Sequence, residues 1–187
     1  AHYLQALAVE KNRPEIFYNL GLLYLAQQKM AAAADQFAAV LRLDAQNTKA
    51  LFHRANCLFS LEQFQAAQEL YERVLDQEPG NHEALNNLGA LLLHENHQEQ
   101  ALQCFTTILA NQPDHPEARN NLAAILLKLE RYAHAAEHFR WLLQQRPEDK
   151  EALYGYGLAL LNLEDYVAAM QQFQKLLHLV PDHQDAL

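Results

Sequence analysis

The apolar and polar positions of this chain repeat in long blocks. Glu83 opens the stretch EALNNLGALL and Glu117 opens EARNNLAAIL, 34 residues later, with the Asn pair held in place while its neighbours change. Set out in rows of that length, Gly21, Ala55, Gly89, Ala123 and Gly157 form one column of small residues. Twelve residues further on, Ala33, Ala67, Ala101, Ala135 and Ala169 form a second, and four after that Phe37, Tyr71, Phe105, Phe139 and Phe173 form an aromatic one. Pro79, Pro113, Pro147 and Pro181 close four rows, with Ala45 at that place in the first. A fixed period of this length signals a solenoid.

Each column predicts an element. Small residues on two successive helices let the helices approach closely, and an aromatic one turn beyond the second fills the space beside that contact. Each row is therefore expected to hold an antiparallel helix pair. Proline has no backbone donor and disfavours helical geometry in the residue before it, so it ends the second helix. Five full rows follow, at 14–47, 48–81, 82–115, 116–149 and 150–183. Residues 1–13, with Tyr3 in the aromatic column, match the closing half of a preceding row, and 184–187 match the opening of another. The piece is expected to come from a single longer array, with ends that self-associate or that flanking segments cover.

Composition agrees with an all-α chain. Half the residues are apolar, and there are only five Gly and six Pro. The formal charge of -9, without a basic stripe, argues against nucleic acid and anionic membrane as partners. No apolar run is long enough to span a bilayer. Cys57 and Cys104 lie far apart without a CxxC partner, as thiols of a reducing compartment do, so a cytoplasmic location is expected.

The columns resemble the tetratricopeptide repeat, whose pattern is W-x2-L-G-x2-Y, then Ala, an aromatic and Pro. Phe17, Leu20, Gly21, Tyr24, Ala33 and Phe37 take these places in the first row; Leu85, Leu88, Gly89, Leu92, Ala101, Phe105 and Pro113 take them in the third. The resemblance covers the whole chain and implies a right-handed superhelical solenoid of antiparallel helix pairs. It further implies a concave groove, lined by the first helix of each pair, that holds an extended peptide or partner helix.

Within that groove Asn19, Asn87 and Asn121 each precede the Leu of the Leu-Gly place, while His53 and Gly155 stand there in the second and fifth rows. An amide carries both a donor and an acceptor, so a row of them can bond peptide backbone with little regard to sequence. This is similar to the asparagine ladder in the repeat arm of O-linked N-acetylglucosamine transferases. Local bonding of the same amides is the alternative. Tyr18, Phe52, Asn86, Asn120 and Tyr154, one residue earlier, and Asn56, one turn on, are further groove candidates. Their rings would act either as anchors for apolar side chains or as packing against a neighbouring helix. Glu15, Glu83, Glu117 and Glu151 share a column that favourable placement at helix N-termini suffices to explain. Where the carboxylate clamp that grips acidic chaperone tails would need Lys and Arg, this chain has Glu117 and Asn121, which disfavours such ligands.

Candidate chemistry is sparse. HAAEH, from His134 to His138, has the spacing of an inverted zinc-peptidase motif, but no third ligand accompanies it and its place is the outer face of a second helix. HENH, from His94 to His97, falls at a turn. No phosphate-cradling loop, Gly-flanked serine or oriented thiol is present, so the chain itself is expected to be no enzyme and to need no cofactor. A protein-interaction scaffold is the first functional expectation. The alternative is the substrate-docking arm of a larger enzyme, such as a glycosyltransferase or methyltransferase.

Overall fold

The computed structural model describes residues 13–181, and the expected half-row at 1–13, apart from Arg13, and the opening at 184–187 lie outside them. Ten helices and no strand are found among the described residues. They are α1 (Pro14–Ala26), α2 (Met30–Leu43), α3 (Thr48–Ser60), α4 (Phe64–Gln77), α5 (His82–His94), α6 (Gln98–Asn111), α7 (Pro116–Lys128), α8 (Tyr132–Gln145), α9 (Lys150–Asn162) and α10 (Tyr166–Leu179). The all-α solenoid class read from the columns is the one observed. Packing divides the chain between Glu95 and Asn96 into two compact units. In the first, α1 packs on α2, α3 on α4, and α4 on α5; in the second, α6 packs on α7, α7 on α8, and α9 on both α8 and α10.

Helix starts are written by side chains. Pro14 and Pro116 occupy the first helical position, where a missing N–H is no loss. The side chains of Asn47, Asn81 and Asp149 accept from the N–H of Ala50, Ala84 and Ala152, and His115 does the same for Ala118 through Nδ1 at 3.2 Å. The second helices end before the proline column. Glu78, Gln112 and Arg146 leave helical geometry there, with ψ between 76° and 84°. Asp44, before Ala45 rather than a proline, adopts ψ 90° as well, so proline reinforces a bend that the packing already makes.

The turn inside each pair is made by backbone. In four of the turns Gln28, Glu62, Glu130 and Glu164 take φ between 58° and 63°, the left-handed region, although none is glycine. The residue after each donates back to the helix, Lys29 to the Tyr24 carbonyl at 2.9 Å and Arg131 to that of Leu126 at 2.8 Å. This closes a Schellman turn.

The aromatic column explains the small one. A Cβ at Gly21 would lie 2.7 Å from the Phe37 ring, and one at Gly157 would lie 2.5 Å from that of Phe173. Each ring thus occupies the volume that a side chain on the first helix of its own pair would need. Phe37, Tyr71, Phe105 and Phe139 are buried, as are the alanines one turn before them. Cys57 and Cys104 are buried and unpaired, and burial pushes both thiols up to about 11, leaving them unreactive at neutral pH.

Two substitutions test this packing. Gly155→Ala should destabilise the chain by about 1–3 kcal/mol, because its Cβ would meet the Phe139 ring, while Gly80→Ala, with open space around it, should be close to neutral; urea midpoints measure both. Glu62→Gly should raise stability by roughly 0.5–1 kcal/mol by removing a side chain from a left-handed position. A fall in midpoint would mean that the carboxylate side chain supports the turn.

Candidate ligand-binding face

In the first unit α3 and α5, the first helices of successive rows, approach each other and bring polar groups together. Asn87 on α5 donates through Nδ2 to Oδ1 of Asn56 on α3 at 2.9 Å. The Tyr71 hydroxyl, on α4, donates to the same oxygen at 2.6 Å. Asn56 and Asn87 are both half-buried, whereas Tyr71 is 1 % exposed. Burial pushes the Tyr71 hydroxyl up from its ordinary value, which keeps it protonated and a donor. Two of the expected groove amides are therefore joined to one another.

Beside them lies an aromatic cluster. His53, half-buried, stacks on Phe37 with ring centroids 5.3 Å apart and planes at 21°. Tyr18 meets the edge of Phe37 at 5.7 Å and Phe52 meets that of His53 at the same distance. Burial, with the Lys49 charge adding to it and the Glu83 charge opposing it, lowers the His53 pKa from its ordinary value, and burial raises that of Tyr18. Asn19 is exposed in a depression of about 330 Å³ that Tyr18 and Lys49 also line. Asn86 is half-buried.

In the second unit Asn120 and Asn121 are half-buried on α7, and the Tyr154 ring lies 6.2 Å from that of Phe173. Gly155, at the place of the ladder asparagines, is pressed against Phe139 of the preceding row. Phe37 against His53 and Phe139 against Gly155 are the same contact, sixteen residues apart in the chain. The ladder place thus lies over the preceding aromatic. Its occupant is chosen partly by that ring, a signal that the spacing of the two columns contains.

The sequence reading missed Arg119. It stands where the first, third and fifth rows have Phe17, Leu85 and Leu153. Its guanidinium lies 4.1 Å over the Trp141 ring, Nη2 donates to the Pro113 carbonyl, and Nη1 is 3.3 Å from His138 Nδ1. His138 is consequently half-buried, facing a cation, and not on an open outer face with His134 and Glu137, which are exposed. The HAAEH spacing does not gather a metal site: no group of three or more metal-ligating side chains is found among the described residues. No helix among them is long and apolar enough to cross a membrane.

The tetratricopeptide repeat pattern matches residues 1–48 and 125–183 in one form and 58–125 in another. The chain belongs to the tetratricopeptide repeat family. Among solved structures it is similar to YrrB, a tetratricopeptide repeat protein with an unusual peptide-binding site, at 20% identity and a TM-score of 0.86 over 100% of this chain and 96% of that one. It is similar also to MamA from Desulfovibrio magneticus, at 19% identity and a TM-score of 0.84 over 91% and 97% of the two chains. A tetratricopeptide repeat protein from Parabacteroides merdae matches at 19% identity and a TM-score of 0.84, over 92% and 69%. No curated protein is detectably similar in sequence.

Burial of His138, reinforced by the Arg119 charge, makes the repeat fold sensitive to acid. Burial first, then the Arg119 charge and that of His134, lower the His138 pKa below 6.5, with Glu137 acting in the opposite sense. Above that value the ring is neutral in both folded and unfolded chains. As pH falls below it, the unfolded chain takes up a proton that the folded one refuses, so stability falls with pH. Thermal midpoints should drop between about pH 7 and pH 5, and His138→Gln should make the drop shallower. An identical slope in the variant would show that His138 takes no part.

Proposed function

We propose that this repeat array is a protein-interaction module that holds an extended peptide, or a partner helix, on the face made by its first helices. The observation that carries this reading is the meeting of Asn56 and Asn87 from successive first helices. Two amides side by side give a polar strip next to the aromatic cluster of Tyr18, Phe52 and His53. Tyr18 and Phe52 beside that strip would serve as anchors for apolar side chains of a ligand on the first unit, and Tyr154 would do so for a ligand on the second unit taken by itself. In the first unit Asn19 and Asn86 would add backbone bonds, while His53 contributes its edge; the second unit taken by itself offers Asn120 and Asn121 for the same role. YrrB, similar in fold, is described as binding peptide, which supports a peptide as the ligand class here.

A phage-displayed library of random 12-residue peptides, selected on the full chain, tests the reading. Peptides should be enriched, and Asn87→Ala should weaken the best of them by roughly 2- to 12-fold, equivalent to a hydrogen bond of about 0.5–1.5 kcal/mol. No enrichment over an unrelated helical protein would sink the proposal.

A further inference from the structure

We infer that Tyr71 is a positioning residue that locks Asn56 and Asn87 into one donor–acceptor pair matched to a single peptide unit of an extended ligand. The inference rests on the peptide-binding reading above and says which of its amides does what.

Tyr71 is 1 % exposed, so its hydroxyl needs a partner inside the protein, and Asn56 Oδ1 at 2.6 Å is that partner. Asn87 Nδ2 donates to the same oxygen at 2.9 Å. An amide oxygen has two acceptor positions, and here both are taken. Asn56 can therefore offer a ligand only its NH2 group. Asn87 has committed an N–H to Asn56, which fixes the sense of its amide and turns its carbonyl to the remaining role of acceptor. The half-buried pair then presents one donor and one acceptor, the complement of a peptide C=O and N–H.

The lock belongs to this row. Phe37, Phe105, Phe139 and Phe173 occupy the same column without a hydroxyl, so among the described rows only Tyr71 can orient an amide above it in this way. Without that hydroxyl, Asn56 and Asn87 would be free to turn over together, and the order of donor and acceptor would be lost. A peptide bound to the locked pair has a preferred chain direction at this point. A purely structural role differs in a measurable way: it would tie Tyr71 to stability and leave ligand preference alone.

Tyr71→Phe removes only the hydroxyl, and the full-length variant can be compared with the unaltered chain in two ways. By NMR, the Asn87 side-chain NH2 should exchange with solvent at least about 10-fold more slowly in the unaltered chain than in Tyr71→Phe; equal rates would overturn the lock. The second comparison uses the best 12-residue peptide from the library and its single N-methyl derivatives. One N-methyl position should weaken binding to the unaltered chain by about 3- to 10-fold and matter little to Tyr71→Phe. Equal sensitivity in the two proteins would overturn the present inference while leaving peptide binding intact. Failure to select any peptide would overturn the peptide-binding reading and this use of the pair together, with the exchange rates still deciding whether the amides are locked. Should Tyr71→Phe not fold, Asn56→Asp serves instead: it still accepts both bonds but cannot donate. It should lose about 3- to 10-fold in peptide affinity, and unchanged affinity would overturn the assignment of Asn56 as donor.

Discussion

The structure depends on one packing constraint, the aromatic ring of each second helix. Phe37 reaches across to the first helix of its own pair and leaves no room for a side chain at Gly21, as Phe173 does at Gly157, while the second and fourth rows carry only the methyl of Ala55 and Ala123 there. The ring also lies beneath the first helix of the following row, where it supports His53 or leaves room only for Gly155. One side chain therefore sets both the spacing within a pair and the footing of the next. The period of the chain is the period of this contact.

Because the ring is shared, the polar face above it is not independent of the core. His53 stacks on Phe37, whereas the Tyr71 hydroxyl reaches Asn56, which in turn accepts from Asn87, so a hydroxyl at the end of the ring converts an apolar support into a hydrogen-bonded one. Core and binding face thus meet at single atoms. A change from Phe to Tyr in such a column alters what the face can recognise with almost no change of volume. The Arg119 cluster shows the same principle from the other side: a cation placed in an apolar column is accommodated over the Trp141 ring and beside His138.

Much of the fold was legible because its rules are positional. The Ala33 and Phe37 columns, the proline closures and the Leu-Gly places each state a packing requirement that any row must meet, so repetition alone exposes them. What escaped the sequence was individual. Gln28, Glu62, Glu130 and Glu164 adopt left-handed geometry without glycine, since the Schellman bonds hold them there and composition carries no trace of it. Arg119 broke its column silently, because its reason is Trp141, a residue on another helix. For the candidate face the sequence placed Asn56 and Asn87 on neighbouring helices but could not show that they bond to each other. Tyr71, whose hydroxyl donates to Asn56, was legible only as a core ring. His138 was misjudged for the same reason: Arg119, on the other helix of its own row, lies against it.

The chain contains a single tryptophan, and it is the one beneath Arg119. Its fluorescence is therefore a local reporter, dominated by whether the guanidinium still covers the indole and α7 still lies on α8. Circular dichroism, in contrast, sums over every helix. In a linear array whose elements touch only their neighbours, these two signals coincide when rows unfold together and separate when they do not. The Arg119–Trp141 stack thus gives this array, without any added label, a direct optical measure of its own cooperativity.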